Sequence, residues 1–323
     1  MVASRLTVLS VILALWGCGA AGGPHGGGEN LPSTGSHGFT IDEDFRLSQA
    51  GVDLRSPSVI LSGETKRWMY LIEDDGERSR AVRYEMTASS VEMDDILRTE
   101  LQLEGKPWED DDLVFLEVQT TEEGYQAVFL RQGADVVEWA LSDNGTDWSL
   151  RDQSIPLPGD TLKGLTLGKK GNDWLIWALS EESLWMGELD SDNEWEWTDI
   201  GLPTGLPFGE EEIGLWEKNG MSSLQVLTEV TPTGRPQYRM WYGGIRIAVS
   251  GILDGGIGFA ASWDGMHWER SPNGATLYNA GFGEKEPFVL EGPNQDTLYY
   301  SRFWKKEGSN RHVIGRALRN GIE

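Results

Sequence analysis

Carboxylates that stand directly ahead of apolar, strand-like runs are the side chains in this sequence best placed to do acid-base chemistry. Glu286 precedes Pro287 and an apolar run, and Asp111 and Asp112 precede another. Glu212 precedes a third run, although an alternative strand register in that region would place a serine there instead. Two carboxyls beside one reacting bond can act as acid and base at the same pH when their environments separate their pKa values.

Each of these acids also has a plain structural interpretation. Glu286 fits a solvated residue at the start of a strand, and Asp112 belongs to the acidic run 109–112, which is typical of an exposed loop. The histidines give no stronger signal, since His267 and His312 have neither a nucleophile signature nor metal-ligand spacing around them. We therefore expect no metal and no cofactor.

The elements that must position these residues are most visible in residues 238–271. Short apolar runs alternate there with glycine-rich punctuation, and Asp264-Gly265 lies between two of them, which is a strong hairpin signal. The pattern predicts four antiparallel strands at residues 222–230, 237–243, 256–263 and 267–271. Such a four-stranded unit is typical of one propeller blade.

The same pattern recurs along the chain. Aromatic-apolar runs at residues 67–70, 127–130, 174–177, 240–242 and 298–300 follow each other at intervals of roughly 50 to 65 residues. The sequence Ser142-Asp143-Asn144-Gly145, followed by Trp148, repeats the Ser262, Asp264-Gly265, Trp268 arrangement. Five copies predict an all-β, five-bladed β-propeller.

Two features of the blades are less regular. Residues between 72 and about 103 are locally charged and predict irregular structure after the first two strands of blade one. The last blade has only three strands of its own, and the alternating segment 39–45 predicts the fourth. Closure by this N-terminal strand would remove the open edge of the ring.

The N-terminus predicts export. Residues 1–18 combine an early arginine with an apolar run too short to span a bilayer, and the run ends in Leu-Trp-Gly-Cys18, which resembles a bacterial lipoprotein signal. Cys18 is the only cysteine and is the expected lipidation site, with an ordinary secretory signal as the alternative. Residues 19–38 are glycine-rich and predict a flexible linker, so the propeller domain spans 39–323. These features place the protein in the bacterial cell envelope, with the outer membrane as the expected location.

Composition narrows the choice of partners. The formal net charge is −25, which argues against binding to nucleic acid or to anionic lipid surfaces, so the lipid anchor is the expected membrane contact. Fifteen tryptophans predict extensive packing between blades. Aromatic faces also contact the apolar side of sugar rings, and we expect a monomer whose partner is a carbohydrate or an envelope protein.

Several phrases of the sequence resemble one known superfamily. YRMWYGG, IGFAASWDGMHW, RSPSVIL and EKEPFVL are similar to blades of the five-bladed propellers that include arabinanases, β-xylosidases, invertases and levansucrases. The resemblance covers roughly residues 39–319. It implies a propeller with a central funnel and, where the enzymes are active, hydrolysis of glycosidic bonds.

The resemblance also implies a site. Family members carry three carboxylates on the innermost strands, and this chain has Ser56 where blade one commonly has an aspartate. Arg55 beside it remains a candidate for binding an anionic or hydroxyl-rich ligand. Catalytic roles therefore do not transfer directly to Asp112, Glu212 and Glu286, although these three are the candidate acids.

The sequence supports two functional hypotheses. One is an envelope-anchored propeller that binds carbohydrate, with hydrolysis of O-glycosyl bonds left open by the incomplete carboxylate set. The other is a non-catalytic protein-interaction scaffold that contacts its partner through blade loops. A sugar site needs convergent polar groups and an aromatic platform in the funnel, whereas a scaffold needs an exposed apolar patch.

Overall fold

The structure is a computed structural model that describes residues 38–63, 66–87, 96–110, 113–159, 161–170, 173–189, 194–203, 217, 220–231, 234–247, 253–271, 275–278, 283–292, 294–306 and 309–320. The first half of these residues forms strands β1 Thr40–Leu47, β2 Asp53–Ser62, β3 Lys66–Asp74, β4 Ser79–Thr87, β5 Leu97–Glu100, β6 Gln102–Leu103, β7 Lys106–Pro107, β8 Glu109–Asp110, β9 Leu113–Thr121, β10 Gly124–Arg131, β11 Val136–Ser142, β12 Asp147–Leu150 and β13 Ile155–Pro156. The second half forms strands β14 Leu162–Lys170, β15 Asp173–Ser180, β16 Leu184–Leu189, β17 Trp195–Asp199, β18 Met221–Val230, β19 Pro236–Gly244, β20 Arg246–Ile247, β21 Leu253–Asp254, β22 Gly256–Ser262, β23 Glu269–Arg270, β24 Leu277–Tyr278, β25 Lys285–Leu290, β26 Gln295–Lys306 and β27 Ser309–Asn320.

Most of these strands belong to five sheets of at least four strands each. Their orders are β2-β3-β4-β5, β9-β10-β11-β12, β14-β15-β16-β17, β18-β19-β22-β23 and β25-β26-β27-β1. The β6-β7 hairpin extends the second sheet, because β6 pairs in parallel with β12. Neighbouring strands along each of these orders pair antiparallel, as the repeat predicted.

Five apolar clusters occupy the spaces between neighbouring sheets. Tyr70 of the first sheet packs with Phe129 of the second, and Trp177 of the third packs with Met240 of the fourth. The remaining clusters join the second to the third sheet, the fourth to the fifth, and the fifth back to the first. Because each sheet buries both of its faces against its neighbours, the sheets form a β-propeller.

The Ser-Asp-Gly-Trp turns stabilise the propeller at two of these interfaces. The Ser262 hydroxyl accepts a hydrogen bond from Gly265 N at 2.9 Å, and Gly265 adopts a φ of +78°, which glycine tolerates without steric penalty. Gly265 O then accepts a hydrogen bond from the indole of Trp177 in the preceding sheet. Gly145 repeats this arrangement, since its carbonyl accepts a hydrogen bond from the Tyr70 hydroxyl of the first sheet.

The N-terminal strand completes the last sheet, as predicted. β1 pairs antiparallel with β27, so that Thr40 lies opposite Leu318 and Leu47 opposite Ile314. The Asp42 carboxylate also binds the Arg316 guanidinium at 2.6 Å. The two ends of the described chain therefore meet in one sheet.

The prediction of irregular structure in the rest of the first sheet was wrong. β4 is a nine-residue strand paired along its whole length with β3, and β5 pairs with β4. The charged residues of β4 hid its alternation, because their side chains bind charged partners on neighbouring strands and turns. Arg80 contacts Asp75, and Glu85 contacts Lys66.

Candidate functional site

The first strands of all five sheets converge on one cavity at the centre of the propeller. β2, β9, β14, β18 and β25 each contribute residues near their N-terminal ends, and the cavity between them measures about 50 Å³ and is partly open to solvent. The polar and aromatic residues lining this funnel are Ser56, Phe115, Glu117, Lys163, Ser223, Gln225, Glu286 and Phe288.

Every one of these innermost strands is irregular where it enters the funnel. The pairing register shifts between Arg55 and Ser58 in β2, Leu113 and Phe115 in β9, Leu162 and Gly164 in β14, Met221 and Ser223 in β18, and Lys285 and Phe288 in β25. A β-bulge bends a strand and re-aims the side chains around it. The bulges therefore mark the five equivalent positions from which side chains reach the funnel.

Two of these bulges hold residues in a strained backbone conformation. Ser56 has a φ of +51° and Glu286 a φ of +52°, which is the left-handed region that side chains other than glycine rarely adopt. Both residues precede a proline, and hydrogen bonds fix both conformations. Ser56 N donates to Glu286 Oε2 at 2.9 Å, and Glu286 N donates to Ser223 Oγ at 2.8 Å. Strain of this kind concentrates at functional sites.

Glu286 is an ionised carboxylate in this environment. Burial raises its pKa, but the Lys285 ammonium at 3.6 Å, the Ser56 N–H, His312 and Arg55 together outweigh burial and hold the pKa below its usual value. Glu286 is the sequence-predicted acid that the structure places in the funnel.

Glu117 is a second funnel carboxyl, which sequence reasoning missed. Its side chain is 6% exposed, and its Oε1 accepts hydrogen bonds from Gln119 Nε2 at 2.7 Å, Leu167 N at 3.3 Å and Thr166 Oγ1 at 3.4 Å. Burial raises the pKa of Glu117 to about 7, because these hydrogen bonds offset only part of the desolvation of the charged form. The available signal was a single carboxylate inside the apolar run Leu-Val-Phe-Leu-Glu-Val.

A second cavity lies further along the same innermost strands. It shares Glu117, Gln225 and Phe288 with the funnel and also includes Gln119 and Lys169. The Gln225 side-chain amide forms hydrogen bonds with the main chain of Val289, in which Nε2 donates to Val289 O and Oε1 accepts from Val289 N. Glu117 is thus the shared titratable group between the two cavities.

The other predicted site residues have different placements. Arg55 lies beside the funnel, and its guanidinium binds Asp74 at 2.6 Å and Ser79 Oγ at 3.4 Å. The residue that the bulge of β9 inserts is Val114, two positions beyond Asp112. In the fourth sheet, the strand that lines the funnel is β18. The prediction that Glu212 points inward depended on residues 213–216 forming this innermost strand instead. Asp112, Glu212 and Cys18 themselves lie outside the described residues.

Two structural features are absent from the described residues. Within these ranges, no group of three or more His, Cys, Asp or Glu side chains is arranged to hold a metal ion. Among the same residues, no helix has the length and apolar character needed to cross a membrane.

Comparison with known proteins supports the fold. No protein-family model and no curated protein sequence matches the chain. Its structure is similar to that of a thermostable family-43 glycoside hydrolase, with a TM-score of 0.58, 12% identity and coverage of 88% of this chain and 93% of that one. A glycosyl hydrolase from Bacteroides ovatus gives a TM-score of 0.59 at 12% identity, covering 90% of this chain and 97% of the other.

A third similar structure has a different named activity. It is an N-acetylgalactosamine deacetylase from F. plautii in complex with blood group B trisaccharide, with a TM-score of 0.56, 12% identity and coverage of 87% of this chain and 95% of that one. These similarities confirm the resemblance to family 43-like β-propellers. At 12% identity they establish a shared fold, and the residues of the funnel must carry any statement about activity.

Proposed function

We propose that this chain is a carbohydrate-binding protein whose ligand enters the central funnel of a five-bladed β-propeller, with each of the five sheets forming one blade. The observation that carries this proposal is the convergence of all five innermost strands on one cavity with a mixed lining. A sugar presents hydroxyl groups around its ring and a weakly polar face, so it matches a site that offers both polar groups and aromatic rings.

The lining of the funnel supplies both kinds of contact. The half-buried rings of Phe115 and Phe288 provide apolar surface, whereas Ser56 and Ser223 provide hydroxyl groups. The Glu286 carboxylate accepts hydrogen bonds and is held in place by its bond from Ser56 N. The sugar-binding proteins among the similar structures support the same class of ligand.

Binding is the activity that the funnel supports best, and turnover is an outcome of its test. Within the described part of the chain, the two funnel carboxyls are Glu117 and Glu286, and Asp112 and Glu212 lie outside the described residues. The bulges of β2, β9, β14 and β18 carry a serine, a valine, a lysine and a serine at the positions where they re-aim side chains.

We also propose that Cys18 anchors the protein to the bacterial envelope through attached lipid. The support is the apolar segment that ends in Leu-Trp-Gly-Cys and the absence of any other cysteine from the sequence. Labelling of the expressed chain with a radioactive or alkyne fatty acid tests this proposal, and the Cys18→Ala variant should lose the label.

A glycan array with a parallel thermal-shift screen of the full chain tests the proposed function, with reducing-sugar release measured for every glycan that binds. Arabinan fragments belong in the panel because one similar structure is an arabinanase. Glu286→Gln should weaken binding, whereas Glu188→Gln, an exposed glutamate beside Lys170, should leave it unchanged. Turnover that Glu286→Gln abolishes would establish a hydrolase, and binding without turnover would establish a lectin.

No binding across the panel would refute the proposal and favour the protein-interaction scaffold. The large apolar side chains that are exposed among the described residues do not by themselves support a scaffold. They are Leu61, Leu97, Leu141, Leu150 and Val230, which lie on three different sheets.

A further inference from the structure

Side chains from one innermost strand hold the main chain of the next strand around most of the propeller. Between β2 and β9, Ser58 Oγ accepts a hydrogen bond from Val118 N at 3.0 Å and donates one to Val118 O at 2.8 Å. The same kind of contact recurs at the next three interfaces. The side chain and the residue that it holds are Glu117 and Leu167, then Thr166 and Val226, then Gln225 and Val289.

The interface between β25 and β2 does not continue this pattern. In the other strands, each bonding side chain directly precedes a residue that is itself held by the strand before. The corresponding residue of β25 is Phe288, which precedes Val289, and the main chain that it would hold on β2 is that of Val59. A phenyl ring has no polar atom that can bind a main-chain N–H or C=O group. This interface therefore depends on a different contact.

Glu286 supplies that contact two residues before Phe288. Its Oε2 accepts a hydrogen bond from Ser56 N at 2.9 Å, which crosses from β25 to β2. Glu286 is in turn held by β18, because its own N–H donates to Ser223 Oγ at 2.8 Å. These two bonds form a relay from Ser223 through Glu286 to Ser56. The two residues that it holds are those with left-handed φ values of +52° and +51°, so each bond keeps a strained backbone in place.

The fold makes room for the Ser223 hydroxyl at the start of this relay. Gly243 lies opposite Ser223 on β19, and a Cβ added to it would stand 2.6 Å from Ser223 Oγ and 3.3 Å from the Lys285 Cα. A larger residue at this position would push against the serine hydroxyl and against the strand that carries Glu286. The missing side chain at Gly243 therefore lets β18 and β25 approach closely enough for the first bond of the relay.

We propose that Ser223 is a positioning residue of the funnel, whose hydroxyl orients Glu286 for a ligand and, through Glu286, holds Ser56 on the neighbouring strand. This inference rests on the proposed carbohydrate-binding function and adds a residue that controls the same site. Oε2 of Glu286 is committed to Ser56 N, so Oε1, which lies 3.6 Å from the Lys285 ammonium, is the oxygen that accepts a hydrogen bond from a sugar hydroxyl. If the main chain of Glu286 turns, the ligand contact and the contact with β2 are lost together.

Residue-resolved hydrogen–deuterium exchange of the full chain at pH 7 tests the relay without a sugar. In Ser223→Ala the amide of Glu286 loses its acceptor, and the amide of Ser56 should also exchange about tenfold faster, because the carboxylate that holds it turns away. The amide of Val118, which a different interface holds, should keep its exchange rate. Ser222→Ala, which removes the neighbouring hydroxyl of β18, is the matched control and should change none of these rates.

Binding measurements connect the relay to the ligand. The probes are arabinan oligosaccharides and any other glycan that the array identifies. Ser223→Ala should weaken binding about tenfold, and Ser223→Thr, which keeps the hydroxyl, should restore most of the affinity. The double variant Ser223→Ala/Glu286→Gln should bind no more weakly than Glu286→Gln alone, because both changes remove the same contact. Glu188→Gln is the control for binding.

The outcomes distinguish this inference from the function on which it rests. Faster exchange at Glu286 alone would overturn the relay, because Ser223 would then act only on its direct partner. Equal acceleration of all three amides would also overturn it, since this would show a general loss of structure. Additive losses of affinity in the double variant would overturn the positioning role. If exchange follows the relay and no glycan binds, the proposed function fails while the relay within the protein stands.

Discussion

Replacing Glu117 with glutamine should make the protein more stable at pH 8 and leave its stability nearly unchanged at pH 4.5. The folded state holds the pKa of Glu117 at about 7, above the value of 4.5 expected for the unfolded chain. Between these values the folded protein binds more protons than the unfolded chain, so the stability of the protein falls as pH rises. Glutamine preserves the shape of the side chain and has no charge to bury.

The size of the effect follows from the two pKa values. One pH unit between them corresponds to about 1.4 kcal/mol, so the loss from 4.5 to about 7 amounts to about 3 kcal/mol and is complete above pH 7. The free energy of unfolding of Glu117→Gln should therefore exceed that of the unmodified protein by up to about 3 kcal/mol at pH 8. The exposed control Glu188→Gln should show no such difference.

Urea-induced unfolding, followed by tryptophan fluorescence at half-unit steps from pH 4.5 to 8.5, measures the difference. A stability difference between the two proteins that grows sigmoidally with pH, with a midpoint between pH 4.5 and 7, would support a raised pKa of Glu117 in the folded state. A constant difference across this range, or a glutamine variant that is less stable at pH 8, would show that Glu117 is ionised and compensated in the folded protein.

Three further changes should have measurable effects on thermal or chemical unfolding. A Cβ at Gly145 would lie 2.4 Å from the Tyr70 hydroxyl, whereas a Cβ at Gly133 would meet nothing within 4 Å at a similar positive φ. Gly145→Ala should therefore destabilise the protein by about 2 kcal/mol more than Gly133→Ala. Equal losses of stability in the two variants would contradict this prediction. Because Ser56 has a φ of +51°, Ser56→Val should lower stability by about 2 kcal/mol and Ser56→Gly should not; equal effects would argue against strain at this bulge. Deleting residues 38–47 removes two fully buried apolar side chains and the edge strand of the last sheet. This deletion should lower the free energy of unfolding by about 5 kcal/mol. An unchanged unfolding midpoint would show that the strand is dispensable.

Much of the fold could be predicted from local sequence because all five sheets share an aromatic-apolar strand and two of them repeat the same turn chemistry. The Ser-Asp-Gly-Trp pattern around Asp264 located the hairpin of the fourth sheet, and its copy at Asn144 located that of the second. β4 escaped prediction because its outward side chains are charged and form ion pairs that are visible only once neighbouring strands are placed. Pairing of β1 with β27 was predictable because the last sheet lacked a strand.

The site was less predictable because its members are separated by long stretches of chain. Glu286 was identifiable from its position ahead of Pro287, where a bulge interrupts the strand. Glu117 lies three residues after the corresponding bulge of β9, where burial on an inner strand and the hydrogen bonds from β14 define its chemistry. Neither property can be read from the residues next to it in the sequence.

The last sheet combines strands from both ends of the described chain, which determines when the ring of sheets can close during synthesis. Among the described strands, β1 is the first to be synthesised and β27 is the last, yet they are direct neighbours. The ring therefore cannot close until β27 has been synthesised, and β1 must wait for its partner while the other sheets are added. A nascent or truncated chain exposes the apolar faces of the first and last sheets, which gives quality-control factors a clear difference between complete and incomplete molecules.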